Sequence, residues 1–175
     1  MNRYSMIRPV TQRDAAPICA IYNHYIETSV ISFESTPISV EQMQQRIAQI
    51  EAMGLPWLVA TDGEQILGYA YATTWKARIA YRFSVEITVY LAQQGTAKGI
   101  GSALYRALFE ALEEGEVHAV VACIALPNAH SVALHEKFGM RKVGHFEEVG
   151  QKFNRWLDVG YWQVNLPRDR DNGDL

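Results

Sequence analysis

The chain predicts a mixed α/β (α+β) fold class, with one twisted, mostly antiparallel sheet and helices on both faces. Three observations carry that prediction. Apolar periodicity runs helix, helix, three strands, helix, strand, helix, two strands, which is neither strict strand–helix alternation nor separate blocks. The stretch Asp62-Gly63-Glu64 is a hairpin signal between two strand-like runs, so the early strands pair antiparallel. A loop carrying Gly95, Gly99 and Gly101 opens directly into an amphipathic helix.

The elements follow in order. Thr11 and Asp14 suit a helix start, and Ile18, Ile21, Tyr22 and Tyr25 then share one face. Ser39 and Gln42 have capping-box spacing for a second helix, which Gly54 ends. The runs WLVATD, QILGYAYATTW and FSVEITVYL read as strands. The helix after the glycine loop runs from Ile100 to about Glu114. HAVVACIAL has the continuous apolar character of a strand buried on both faces. NAHSVALHEKFGM reads as a short helix stopped at Gly139, and KVGHFEEVGQKF and LDVGYWQVNL as closing strands. With no internal repeat or linker, residues 1–166 make one domain, and 167–175 a frayed, flexible tail.

Composition narrows the function. The chain has 175 residues, 49% hydrophobic and 20% charged, which suits one globular domain rather than a disordered or fibrous chain. A net charge of −3 gives no basic surface for nucleic acid. No apolar run reaches membrane-spanning length, and the N-terminus lacks a signal-peptide core. Cys19 and Cys123 sit in apolar sequence without metal-ligand spacing, so both are expected as buried small hydrophobes. The expected location is cytoplasmic, with no metal.

The glycine loop has its own chemistry. Glycine lets backbone amides turn outward with no Cβ in the way. A helix starting there adds unpaired N–H groups and partial positive charge, which together favour an anion such as phosphate. The loop is neither a P-loop, lacking Gly-Lys-Ser/Thr, nor the Gly-x-Gly-x-x-Gly dinucleotide fingerprint. Taken alone, it equally suits a tight strand-to-helix turn.

VEITVYLAQQGTAKGIGSALYRAL resembles the acetyl-CoA loop of the GNAT N-acetyltransferases. Gly99 and Gly101 match its small positions, while Thr96 stands where that pattern has Gln or Arg. Five separated segments resemble the phosphinothricin and methionine-sulfoximine acetyltransferase subfamily: IYNHYIETSVISFESTP, GYAYATTW, YRFSVEITVY, LPNAHSVALHEKFGM and VGQKFNRWLDVGYWQVNL. The resemblance implies the GNAT fold, acetyl-CoA as cosubstrate, a small-molecule amine substrate and a homodimer. It places the cosubstrate at Val89, Tyr90, Leu91, Ala97, Lys98, Gly99, Ile100, Gly101, Ser102, Asn128 and Ser131.

Acetyl transfer to an amine needs proton removal, carbonyl polarisation and stabilisation of the leaving thiolate. Alternation puts Glu86, Thr88 and Tyr90 on one face of their strand and Val85, Ile87, Val89 and Leu91 on the other. From the residues alone, Glu86 is either an edge carboxylate facing water or a functional group. The resemblance implies the general base, with Thr88 beside the substrate. His135, four residues before Gly139, occupies a position where many GNAT enzymes carry a tyrosine that serves the thiolate. By residue type alone it suits a helix surface equally well. Asn128 suits either the pantetheine arm or a helix cap, and Ser131 is a second cap candidate. The resemblance assigns the acceptor to Phe33, Glu34, Trp75, Lys76, Arg78, Tyr81, Glu86 and Thr88, and arginine is suited to carboxylate and oxidised phosphorus or sulfur groups. No cysteine matches a nucleophile position, so direct attack in a ternary complex is expected. Acetylation of protein N-termini or lysines, or a CoA-binding regulatory module without turnover, are the alternatives.

Overall fold

A computed structural model describes residues 6–96 and 99–167. Seven strands form one sheet in the order β1-β2-β3-β4-β5-β7-β6. They are β1 (Met6–Pro9), β2 (Trp57–Asp62), β3 (Gln65–Thr74), β4 (Ser84–Leu91), β5 (Ala119–Leu126), β6 (Arg141–Lys152) and β7 (Arg155–Asn165). The helices are α1 (Ala15–Thr28), α2 (Val40–Ala52), α3 (Ile100–Glu113) and α4 (Ala129–Lys137). Every pairing is antiparallel except β4 with β5.

The predicted order holds with one addition. Strand β1 escapes sequence reading because four residues, MIRP, are too few to show alternation. Its partner creates it: Met6 to Pro9 pair with Thr61 back to Leu58. The first helix also starts later than Thr11 suggests. A short 3-10 turn, Gln12–Asp14, precedes it; Thr11 and Asp14 form a capping box there, with Thr11 N donating to Asp14 Oδ2 at 2.7 Å, and Asp14 also takes two hydrogen bonds of 2.8 Å from the Arg8 guanidinium. The Ser39 capping box forms as expected, with Gln42 N donating to Ser39 Oγ at 3.1 Å and Gln42 Oε1 accepting from Ser39 N at 2.8 Å.

The sheet separates two apolar clusters, and the parity of β4 decides which residues enter each. Val85 and Ile87 join the cluster under α3, where Leu104, Leu108 and Leu112 repeat every fourth residue and are buried. Tyr90 packs on the other cluster, which α1 and α2 cover with Ile18, Cys19, Met43 and Ile47. Each fully buried Leu or Ile contributes about 1.5–3 kcal/mol over leaving it exposed, so the two layers hold the sheet rigidly between them. Among the described residues, no helix is long and apolar enough to cross a membrane.

Candidate active site

The site is a consequence of one incomplete strand pairing. β4 and β5 run parallel and pair only from Ser84 with Ala119 to Glu86 with Val121. Beyond Glu86 they part, and a cavity of about 490 Å³ opens between them. Glu86, Thr88, Val89 and Tyr90 line one side, and Cys123, Ala125, Asn128, Ser131 and His135 the other. Phe33 and Glu34 close a third.

Glu86 sits at the point where pairing stops, half-buried on the cavity wall. Burial alone pushes its carboxyl above the usual carboxylate range. A raised pKa makes the carboxylate a stronger proton acceptor, as a general base requires.

α3 begins near the end of β4, where a Cβ on Gly101 would lie 3.6 Å from Leu91, and none of Gly99 to Ser102 lines the main cavity. Its cap, Gly99, has φ +74°, a left-handed conformation that disfavours a Cβ, and as a glycine it offers no side chain to cap the first-turn amides. Ile100, Gly101 and Ser102 supply that first turn. Thr96 spends its hydroxyl locally, donating to Gln93 O at 2.7 Å. Leu91 lies over a shallower hollow beside His24 and Gln93 rather than in the main cavity. Ala97 and Lys98 lie outside the described residues.

His135 is buried, at 4% exposure, rather than on a helix surface. Its Nδ1 lies 2.6 Å from the Ser131 carbonyl oxygen, which only accepts, so Nδ1 carries the hydrogen. Nε2 is then free to accept from the Tyr105 hydroxyl at 2.8 Å. Burial lowers the imidazole pKa, partly offset by the Ser131 carbonyl, so the neutral ring is favoured at pH 7. Asn128 is the helix cap, its Oδ1 accepting from Ser131 N at 3.1 Å, so Ser131 is not the cap residue.

The acceptor side divides. Glu34 is already engaged: Arg46 on α2 holds it through two hydrogen bonds of 2.9 and 2.6 Å, and the Tyr22 hydroxyl donates to it as well. The guanidinium keeps this carboxyl below the usual range, so Glu34 and Glu86 sit in opposite protonation environments. Trp75, Lys76 and Tyr81 do not reach the first cavity. They line a second one of about 500 Å³ with Ser84, Val121 and Tyr161, farther along the same sheet face. Arg78 is exposed and lines neither. The cause is position along the strand: this connection precedes the start of β4, where Ser84 to Glu86 are still paired with β5, whereas the gap opens only beyond Glu86.

Cys123 departs from the sequence expectation. In β5, Val120, Ala122 and Ile124 face the α3 core, so the alternate residue Cys123 faces the cavity and is exposed. The apolar run hides that parity. Tyr105 and Arg46 were also not legible as site residues, because each reaches the site only by contacting a side chain distant in sequence. Of the aromatic C-terminal segment, Trp162 is core, Tyr161 lines the second cavity, and Phe153 and Trp156 are exposed. No group of three or more potential metal ligands gathers among the described residues.

Comparison with known proteins matches this arrangement to one family. Residues 7–160 fit the model of the acetyltransferase (GNAT) domain. A phosphinothricin N-acetyltransferase of Streptomyces viridochromogenes is 42% identical over 157 residues, 90% of this chain and 85% of the relative. An L-methionine sulfoximine/L-methionine sulfone acetyltransferase of Pseudomonas aeruginosa is 35% identical over 165 residues, 94% and 96% of the two chains. The crystal structure of a phosphinothricin acetyltransferase from Sinorhizobium meliloti in complex with AcCoA superposes with a TM-score of 0.90 at 33% identity, covering 93% of this chain and 88% of that one.

Proposed function

The chain belongs to the GNAT acetyltransferase family, and we propose that it transfers acetyl from acetyl-CoA to the primary amine of a small amino-acid analogue, with phosphinothricin, methionine sulfoximine and methionine sulfone as the leading acceptors. The observation that carries this reading is Glu86: a carboxyl with a raised pKa, on the wall of the cavity that opens where β4 and β5 part.

The residues present suit the cosubstrate. A Cβ on Gly101 would lie 3.4 Å from Leu134 and 3.6 Å from Leu91, ordinary contacts, so packing does not demand glycine there. Close approach of a phosphate to the first-turn amides does give a reason for it. The β5-facing edge of β4 beyond Glu86 is unpaired with β5 and offers backbone groups to an extended amide-bearing arm, with Asn128 opposite. Acetyl-CoA, when bound, supplies an activated acetyl group as a thioester.

An amine near pKa 8 arrives mostly protonated at pH 7. Glu86 accepts that proton, directly or through a water, and the free amine attacks the thioester carbonyl; the C–N bond forms, the C–S bond breaks, and the second proton shed by the nitrogen balances the departing thiolate. At the leaving-group end we place His135. Its Nε2 carries no hydrogen in the resting form, so a proton reaches the sulfur only after Nε2 has gained one, with Tyr105 turning from donor to acceptor. Thr88 and Phe33 bound the acceptor beside Glu86. The exposed Phe146, Val149 and Trp156 suit burial against a second copy, and the free cysteines suit a cytoplasmic location.

The test is acetyl-CoA turnover over a panel of amines. Methionine sulfone or sulfoximine should exceed a lysine-containing peptide in kcat/KM. The reverse preference would move the protein to peptide acetylation, and absence of turnover with every amine would reject the enzyme reading.

A further inference from the structure

The loop that presents Phe33 and Glu34 to the cavity joins α1 to α2 and has no regular structure of its own. Its far end is fixed by Asn23, which both donates to and accepts from Ile38 at 2.9 Å. Its centre is fixed from the opposite end of the chain. Lys152, the last residue of β6, donates through Nζ to Ser32 O at 2.7 Å. Both residues are buried, Lys152 at 6% and Ser32 at 3% exposure.

A buried lysine is uncommon and costly, whereas a methionine of similar length would pack at no electrostatic cost. What the ammonium adds is a charge-assisted hydrogen bond to one carbonyl, together with a cation–π contact of 5.1 Å to the exposed Phe153 ring on the same hairpin. That carbonyl belongs to the residue immediately before Phe33. The same hairpin meets Phe33 itself: a Cβ on Gly150 would stand 2.3 Å from Phe33 Cε2, so the ring lies directly on the β6 backbone. From the other side, Ser32 Oγ accepts from Glu34 N at 3.2 Å and donates to the Tyr22 hydroxyl at 3.1 Å, and Arg46 holds Glu34. Phe33 is therefore the half-exposed residue between two clamped neighbours.

We infer that Lys152 is a positioning residue for the acceptor side of the site, latching the Ser32–Glu34 wall to the β6–β7 hairpin and so setting acceptor binding without touching the acceptor. The inference rests on the acetyl-transfer reading for what the wall faces, but the latch has a readout of its own.

The experiment compares wild type, Lys152→Met, Lys152→Arg and Gly150→Ala by hydrogen exchange of residues 29–36 and by steady-state kinetics with methionine sulfone. Losing one charge-assisted hydrogen bond corresponds to roughly a tenfold or larger change in a local equilibrium. Lys152→Met should speed exchange at 32–36 by about that factor and raise the acceptor KM comparably. The KM for acetyl-CoA should hold, and Lys152→Arg should recover part of the loss. Gly150→Ala, which displaces Phe33 without removing the ammonium, should raise the acceptor KM alone, and carries the kinetic test if Lys152→Met fails to fold. Unchanged loop exchange in Lys152→Met, or equal rises in both KM values, would overturn the latch. Faster loop exchange in a protein that acetylates no amine would keep the latch and remove the acetyl-transfer reading.

Discussion

Replacing Glu86 by Gln keeps the shape of the side chain and removes its basicity, so it separates two ways in which a base can help. If Glu86 only supplies free amine, the loss is set by the amine's own titration. With a pKa of about 8 or higher, at most about one molecule in ten is free at pH 7, so the cost would be about tenfold or more and would fade as pH rises through the amine pKa. If Glu86 takes the proton as the C–N bond forms, the loss is ~10²–10⁴-fold and only part of it returns at high pH. The structure favours the larger effect. Burial raises the Glu86 pKa, and the group lines the cavity at the point where β4 and β5 part. The base form is the ionised one, so wild-type kcat/KM should rise as pH rises through the raised Glu86 pKa, and the variant should lose that limb. Stability carries a second sign. A carboxyl whose folded pKa exceeds its unfolded pKa destabilises the fold above the folded pKa and is neutral below the unfolded one. Glu86→Gln should therefore raise Tm at pH 8 and not at pH 4. The assay is release of the CoA thiol, measured from pH 6 to 9 with methionine sulfone. Near-wild-type kcat/KM across that range would refute the argument and assign proton removal to water and backbone carbonyls.

Two further outcomes test the cosubstrate end. Gly101→Val, in a variant that circular dichroism shows folded, should weaken acetyl-CoA binding severely; unchanged affinity by calorimetric titration would remove the phosphate cradle. His135→Ala should lower kcat more than it raises the acetyl-CoA KM. Equal activity in a folded variant would leave His135 as a packing partner of Tyr105.

Much of the architecture could be read from local chemistry. The Ser39–Gln42 box, the turn at Gly63 and the left-handed Gly99, Gly54 and Gly139 each act within a few residues, so their consequences are written where they stand. The parity of β4 likewise assigned Glu86 and Thr88 to one face, because alternation is a property of the strand alone. The family pattern added acetyl transfer and the pairing of Glu86 with His135, which composition and periodicity do not contain. Tertiary structure decided whatever depends on partners far along the chain. The strand β1 exists because β2 pairs with it. His135 favours the neutral ring because burial penalises its charge, and α3 brings Tyr105 to its Nε2. Cys123 faces the cavity although its run is apolar throughout, and Trp75, Lys76 and Tyr81 line a separate hollow although they adjoin the strand that carries Glu86. Lys152 reaches Ser32 across 120 residues of sequence. Hydrogen bonds and burial depend on distance in space, and only the fold converts separation along the chain into that distance.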